Sequence, residues 1–492
     1  MSHGPGRQAQ AGEQPGAYAP ARRRARRVGL LLAGLGMALA LALLPLPLAL
    51  LAPLALLLAL IDPALGPALA ILSVPIQELV HLPGGLSYTQ AAMLLALGAW
   101  AGAMLARRAP PLLAGRLLVP WALFLWALLF ATAFSPFSAT AAIKETLRWA
   151  EAGLIWLMTI NLVRRPRQVA LLVACLLLAP LAEAAIGLVQ FLAGAGPPSF
   201  RIAADLPFVR AYGTIGQPNS FAGYLNMAWP LALALAVGLT AYALRRPARV
   251  GRMWLLAGLA WLAALALLAG LAASLSRGAW LGAVIGLIGM ALALGGRMRW
   301  AALAAIGLAG AALVLGGVGL LPAFLAQRLV SIGAYLAPFD AGAVVVTPAN
   351  FAVVERMSQI QAGWRMLLAY PLSGVGPGNY SVAYPQFAVG SWYVSRGHAH
   401  NFYVHMAGEA GLVGLGAYLV LLIGVLRQAV HTLRSVTHPI WRSIALGCCG
   451  IIAAVLGHDL FENLHVLSMG IQLAAAWGLL GSLEVIEKRP HM

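Results

Sequence analysis

The stretch Arg396-Gly-His-Ala-His-Asn-Phe-Tyr-Val-His405 places three histidines within eight residues. Imidazole titrates near neutrality and can take a proton from a hydroxyl, so this is where general-base chemistry would sit. An apolar run follows, and Asn401 suits an N-cap, which puts His400 at the mouth of a helix. Free N–H groups and the positive dipole end favour phosphate there. Arg210 and Arg277 each lie in a short Gly-containing stretch at the mouth of a predicted helix. The planar fork of arginine suits a bidentate grip on phosphate. A base and two phosphate grips together point to chemistry on an anionic substrate.

Other constellations carry less. His398, His400 and His405 offer nitrogen ligands, but the sequence has no HExxH, and no carboxylate or cysteine follows at ligand spacing. No metal site and no other cofactor is therefore expected. A late cluster, His458, Asp459, Glu462 and His465, reads either as a functional group of intramembrane charges or as a solvated helix end. Cys175, Cys448 and Cys449 lie in apolar runs without a CxxC pair, so neither redox nor disulfide chemistry is indicated. Neither Lys144 nor Lys488 follows a glycine, which excludes a P-loop. Gly374-Val-Gly-Pro-Gly378 carries a proline and reads as a turn.

The elements that must position these residues are membrane helices. Of 492 residues, 61% are hydrophobic and 9% charged, far from the roughly 25% charged of a soluble domain. Apolar runs of about 20 residues, enough to cross a bilayer, recur to near the C-terminus. They are expected near 28–43, 46–61, 64–81, 86–106, 117–135, 141–162, 168–192, 218–243, 253–273, 278–295, 300–321, 403–427, 443–463 and 465–485. The fold class is an all-α polytopic transmembrane bundle of about 12–14 helices, the lower figure applying if the Pro-rich first pair is one broken helix. The formal charge of +18 sits in short Arg clusters between apolar runs, which is the pattern of cytoplasmic loops. There is no basic face with interleaved aromatics, so a nucleic-acid partner is excluded.

Placing the clusters inside divides the chain. Residues 1–27 form a basic cytoplasmic tail and 28–192 the N-terminal helices; 193–321 hold central helices with Arg-bearing external loops. Residues 322–402 form a long, partly helical external loop, 403–485 the C-terminal helices and 486–492 a second cytoplasmic tail. The external basic residues include Lys144, Arg148, Arg201, Arg328, Arg356, Arg365 and Arg396; pairing with Glu145, Glu151, Asp205, Glu355 or lipid headgroups is the plain account of most of them.

Four stretches in series carry a resemblance: Arg210-Ala-Tyr-Gly-Thr-Ile-Gly-Gln-Pro-Asn-Ser-Phe-Ala-Gly-Tyr224, Ser276-Arg-Gly-Ala-Trp280, Gly374-Val-Gly-Pro-Gly-Asn-Tyr380 and His398-Ala-His-Asn-Phe-Tyr403. Over most of 200–430 the chain resembles the O-antigen ligase superfamily, which includes lipopolysaccharide O-antigen ligases, Wzy-type polymerases and protein O-oligosaccharyltransferases. The resemblance implies a GT-C-like, metal-independent glycosyltransferase in the bacterial cytoplasmic (inner) membrane, with its site on the outer face. Its donor would be an undecaprenyl-diphosphate-linked glycan. The acceptor would be the hydroxyl of a glycan, glycolipid or protein, or a second lipid-linked glycan in the polymerases. It implies that His400 is the catalytic base and that Arg210 and Arg277 bind the diphosphate. His398, Arg365, Asn219, Asn379 and Asn401 would line the site. An outer-face enzyme has no nucleotide sugar to draw on, which suits a substrate that carries its own leaving group. The competing class is a small-anion transporter, which should show broken midplane helices and charges along a through-path.

Overall fold

The computed structural model describes residues 61–77, 87–105, 112–201, 207–245, 250–297, 339–347 and 350–488, with isolated positions at 57 and between 300 and 311. The tail 1–27, Arg328, the spans expected at 28–43 and 46–61 and most of that at 300–321 lie outside the described residues. The fold is all-α. In chain order the helices are α1 (Leu65–Ser73), α2 (Tyr88–Leu105), α3 (Leu118–Ala133), α4 (Ala139–Leu162), α5 (Pro166–Ala193), α6 (Pro218–Asn226), α7 (Trp229–Arg245) and α8 (Val250–Ala273). There follow α9 (Arg277–Leu294), α10 (Phe351–Ala369), α11 (Tyr380–Phe387), α12 (Phe402–Ser435), α13 (Pro439–His458) and α14 (Gly470–Glu487). Among the described residues there is no strand, only isolated bridges at Arg201–Val209 and Val389–Trp392. Long Leu/Ala runs fold this way because hydrocarbon offers no partner to the backbone, which must bond within the helix. Six of the described spans are long and apolar enough to cross a membrane.

Helix α13 is the hub, packed against α7, α9 and α12, while α14 lies along α4 and α12 along α3. The α9–α13 contact is close because glycines recur on it. A methyl group at Gly282 would fall 2.8 Å from the Ala454 carbonyl oxygen, and one at Gly286 2.9 Å from Ala454 Cβ. Small residues at such spacing let two membrane helices approach backbone to backbone.

Three departures from the expected spans have physical causes. The helix expected at 218–243 is divided at Met227–Ala228, because Pro230 lacks an N–H and its ring conflicts with the Asn226 carbonyl of an unbroken helix. The span expected at 443–463 begins at Pro439 and stops at His458, so residues 459–469 form a connection rather than a helix. Helix α12 runs to Ser435 but is broken at Gly411, whose φ of 66° no helix accommodates.

That break receives the long loop. Leu412 N–H donates to the Pro371 carbonyl (2.8 Å), Val375 N–H to Gly408 (2.9 Å) and Gly376 N–H to Glu409 (2.8 Å). The Glu409 carboxylate accepts from the N–H groups of Gly378 (2.7 Å) and Tyr380 (2.8 Å). The Gly374–Gly378 turn and the start of α11 are thereby fixed to a membrane helix. Non-helical backbone at such a depth is tolerated only when protein satisfies it, as here. The loop is folded beyond the turn as well. Tyr380 Oη donates to the Gln359 carbonyl (2.6 Å), and Gln359 Nε2 donates to Tyr384 Oη (2.8 Å). Ala362, Met366, Tyr380, Tyr384 and Ala399 form a small core under the histidine segment.

Candidate functional site

The segment bearing Arg210 is anchored to α5 by a buried carboxylate. Glu183 accepts from Thr214 N–H (2.8 Å) and Thr214 Oγ1 (2.6 Å), and Gln190 Oε1 accepts from Gly213 N–H (2.8 Å). On the other side Ala211 N–H donates to the Ala273 carbonyl (3.0 Å) at the end of α8. Held between these two helices, Arg210 donates from Nε to the Ser274 carbonyl (2.8 Å) and from a terminal nitrogen to Asn219 Oδ1 (2.9 Å). The same turn leads through Ser276, the N-cap of α9, to Arg277. Gly278 lies so close to the 458–462 segment that a methyl there would sit 2.8 Å from Phe461 Cβ and 3.2 Å from the His458 ring.

Asn219, in the first turn of α6, carries the contact onward by donating from Nδ2 to Glu462 Oε2 (2.8 Å). Glu462 Oε1 faces two imidazoles, His398 Nε2 at 2.9 Å and His400 Nδ1 at 3.2 Å. The histidine segment is shaped for this. His400 takes a left-handed φ of 52°, which is strained for a side-chain-bearing residue and held only where the surroundings over-determine it. Its own N–H donates to His398 Nδ1 (3.1 Å). Asn401 caps α12, its Oδ1 accepting from Val404 N–H (3.0 Å) while its Nδ2 donates to the Leu460 carbonyl (3.1 Å). Phe402 N–H donates to the Asp459 carbonyl (2.8 Å), so the histidine loop and the α13–α14 connection form one layer.

These partners fix where the protons sit. His398 Nδ1 accepts from a backbone N–H, so its proton is on Nε2 and points at Glu462. With Oε1 accepting from both rings and Oε2 from Asn219, Glu462 is an acceptor throughout. Burial pushes this carboxyl up, but the ring N–H groups that His398 and His400 aim at it favour its charged form and hold it below the usual range. It is therefore ionised at neutral pH. His400 then donates from Nδ1, which leaves Nε2 bare. Burial also lowers the His400 imidazole to about 4 against the pull of Glu462, so near neutrality the ring is uncharged and able to accept a proton.

The late cluster is not a solvated helix end. His458, Asp459, Glu462 and His465 are at most 5% exposed. Asp459 Oδ1 accepts from Leu464 N–H (3.2 Å) and Oδ2 lies 3.4 Å from His465 Nε2, while the His465 ring packs at a tilt against Phe402, centroids 4.3 Å apart. His465 and Asp459 brace the layer from below, and Glu462 joins the site itself. Sequence spacing missed Glu462 because a carboxylate far along the chain leaves no motif. The signal that it matters was its company, four ionisable groups within an apolar stretch.

The remaining candidates fall elsewhere. Arg365 is exposed and donates to the Ala388 carbonyl (2.7 Å). Asn379 is buried and fastens the long loop to the α3–α4 turn, accepting from Ser138 N–H (3.0 Å) and donating to Ser135 Oγ (3.1 Å). Arg148 pairs with Glu145, and Arg396 with Glu355 at 2.6 Å, the plain account of external arginines. His398, His400 and Glu462 each present a ligand atom, all within 4.8 Å of one another.

Residues 262–419 match a family model described as O-Antigen ligase. The matched region holds Arg277, His398 and His400; Arg210, Asn219 and Glu462 lie outside it and reach the site only through the fold. No curated protein matches the chain.

Proposed function

We propose that this chain, whose residues 262–419 match an O-antigen ligase family model, belongs with that superfamily of membrane glycosyltransferases and transfers glycan from an undecaprenyl-diphosphate-linked donor to an acceptor hydroxyl. The observation that carries the reading is the continuous path Arg210–Asn219–Glu462–His400. It ties a phosphate-binding group to a base whose accepting nitrogen is fixed. The acceptor oxygen attacks the anomeric carbon from the face opposite the diphosphate, and its proton passes to His400 Nε2. The bond between anomeric carbon and phosphate oxygen breaks with the electron pair leaving on the diphosphate, so the anomeric centre inverts. Arg210 and Arg277 stabilise the charge that develops there, the kind of preorganised electrostatics that commonly dominates catalysis. Glu462 orients His400 and stabilises the imidazolium. A low resting basicity suits this order of events, because the bound diphosphate itself raises the affinity of a nearby imidazole for a proton.

No step in this scheme needs a metal. The same reading puts the site on the outer face of the bacterial inner membrane and both termini inside, with residues 322–402 as the external loop. A Wzy-type polymerase would use the same apparatus with a second lipid-linked glycan as acceptor.

The test uses purified protein in detergent, a synthetic undecaprenyl-diphosphate oligosaccharide and EDTA throughout, with release of undecaprenyl diphosphate as the readout. Wild type should release it only when an acceptor is present. Arg277→Ala should slow turnover with every acceptor, and His400→Ala should abolish transfer while donor binding persists. Full turnover in His400→Ala would sink the base assignment. Which acceptor supports release separates ligase from polymerase.

A further inference from the structure

The three ligand atoms around Glu462 have a second use. We propose that His398 Nε2, His400 Nδ1 and Glu462 Oε1 form an inhibitory site for a borderline divalent transition ion of the Zn2+ class. The inference rests on the base assignment above and concerns regulation of that same site.

The geometry is close to what such an ion needs. Ligand atoms of a tetrahedral zinc site, each about 2.0–2.1 Å from the metal, stand roughly 3.3 Å apart. Here the two nitrogen-to-oxygen separations are 2.9 and 3.2 Å, and the whole trio fits within 4.8 Å. The two nitrogen-to-oxygen separations need to open by at most a few tenths of an ångström to reach that spacing. Two imidazoles and one carboxylate suit zinc and its neighbours far better than magnesium, which prefers six oxygens. The fourth position is left to water. The His398 and His400 side chains are 15% and 13% exposed, so an ion arriving from solvent has a way in.

Binding at these atoms disables the base through its tautomer. In the metal-free site His400 carries its proton on Nδ1 and accepts on Nε2. When the ion takes the Nδ1 lone pair, the neutral ring holds its single proton on Nε2, and the atom that should receive the acceptor proton is occupied. The proton is neither gained nor lost; it moves across the ring. Glu462 also ceases to orient the imidazole, because Oε1 now faces the ion.

The same bookkeeping limits affinity. His398 must carry its proton on Nδ1 once Nε2 binds metal, and it then no longer accepts from the His400 N–H, a contact now seen at 3.1 Å. Losing one such hydrogen bond weakens binding by about tenfold. The site is thus built for reversible occupancy rather than for a resident cofactor.

The test takes full-length protein without a polyhistidine tag, stripped with EDTA and exchanged into chelator-free buffer. ZnCl2 is titrated by calorimetry, CoCl2 by absorption, and glycan transfer is measured at each zinc concentration. Wild type should bind one zinc per chain in this site, show the visible bands of tetrahedral Co2+, and lose transfer with the same midpoint as binding, reversed by EDTA. His398→Gln, each rate being normalised to its own metal-free value, should need at least tenfold more zinc for half inhibition. Absence of tetrahedral Co2+ bands in wild type overturns the proposal without reference to any variant. So does an unchanged zinc midpoint in a folded His398→Gln protein. Failure of the transferase reading is distinguishable, since it would show as no transfer in chelated protein while the calorimetry still reports zinc.

Discussion

Glu462→Gln keeps the shape of the central side chain and removes its charge. An amide cannot accept from His398, His400 and Asn219 together, because one of its ends is itself a donor. We expect kcat to fall by about 10²–10³-fold, within the range of a general base's contribution, with KM little changed and Glu462→Asp restoring part of the loss. An equal loss in Asp and Gln would make the carboxylate structural only. Arg210, Arg277 and His400 were legible as candidates from residue type and position at helix mouths. Glu462 was legible only as one of a cluster, because its hydrogen bond to His400 spans 62 residues and no motif records such a distance. Asn379 shows the converse: it stands in a recognisable stretch, yet its side-chain hydrogen bonds fix the loop to the α3–α4 turn.

At the scale of elements, the break in α12 is the device that seats the long loop. A methyl at Gly411, where φ is 66°, would strike the carbonyl of Leu372 and the nitrogen of Ser373. Gly411→Ala should therefore destabilise the protein by roughly 1–3 kcal/mol, the scale of backbone strain. Gly416→Ala on the same helix is the control, since its added methyl meets nothing within 4 Å and should be neutral or slightly stabilising. Thermal unfolding of the two variants in detergent checks the difference; equal midpoints would mean that the loop docks without needing the break. Gly408, Gly411 and Gly414 recur at helical spacing around Glu409, so nothing in the sequence says which glycine leaves the helix. The division between α6 and α7 was more readable, since Pro230 announces it.

At the scale of the molecule, α12 links the two ends. Past the break at Gly411 it runs on from Leu412 to Ser435, roughly 36 Å at 1.5 Å per residue, enough to cross a hydrocarbon core of about 30 Å. On the proposed topology the histidine segment and Ser435 then face opposite sides. Arg245 and Arg442 line one cleft with Thr437, at the Ser435 end of α12, and the proposed inside face thus gathers arginines as cytoplasmic surfaces do. The three native cysteines are buried, so introduced thiols can be read against a quiet background. A membrane-impermeant maleimide should label Tyr393→Cys in intact spheroplasts and Arg434→Cys only after lysis; the reverse pattern would turn the proposed topology over. The bundle itself was visible in composition, because bilayer thickness dictates span length. Helix ends were less so, since they are set by prolines, glycines and the loop contacts that replace lost backbone bonds.

Glu462 also bears on biosynthesis. A ribosome makes this chain in order, so both arginines and both histidines of the site are synthesised before the carboxylate that aligns them. A nascent polypeptide halted short of the α13–α14 connection carries the candidate arginines and histidines without the carboxylate that lies between them. On the proposed mechanism, transfer waits on synthesis of the α13–α14 connection, and a shorter copy would leave the lipid-linked donor unspent.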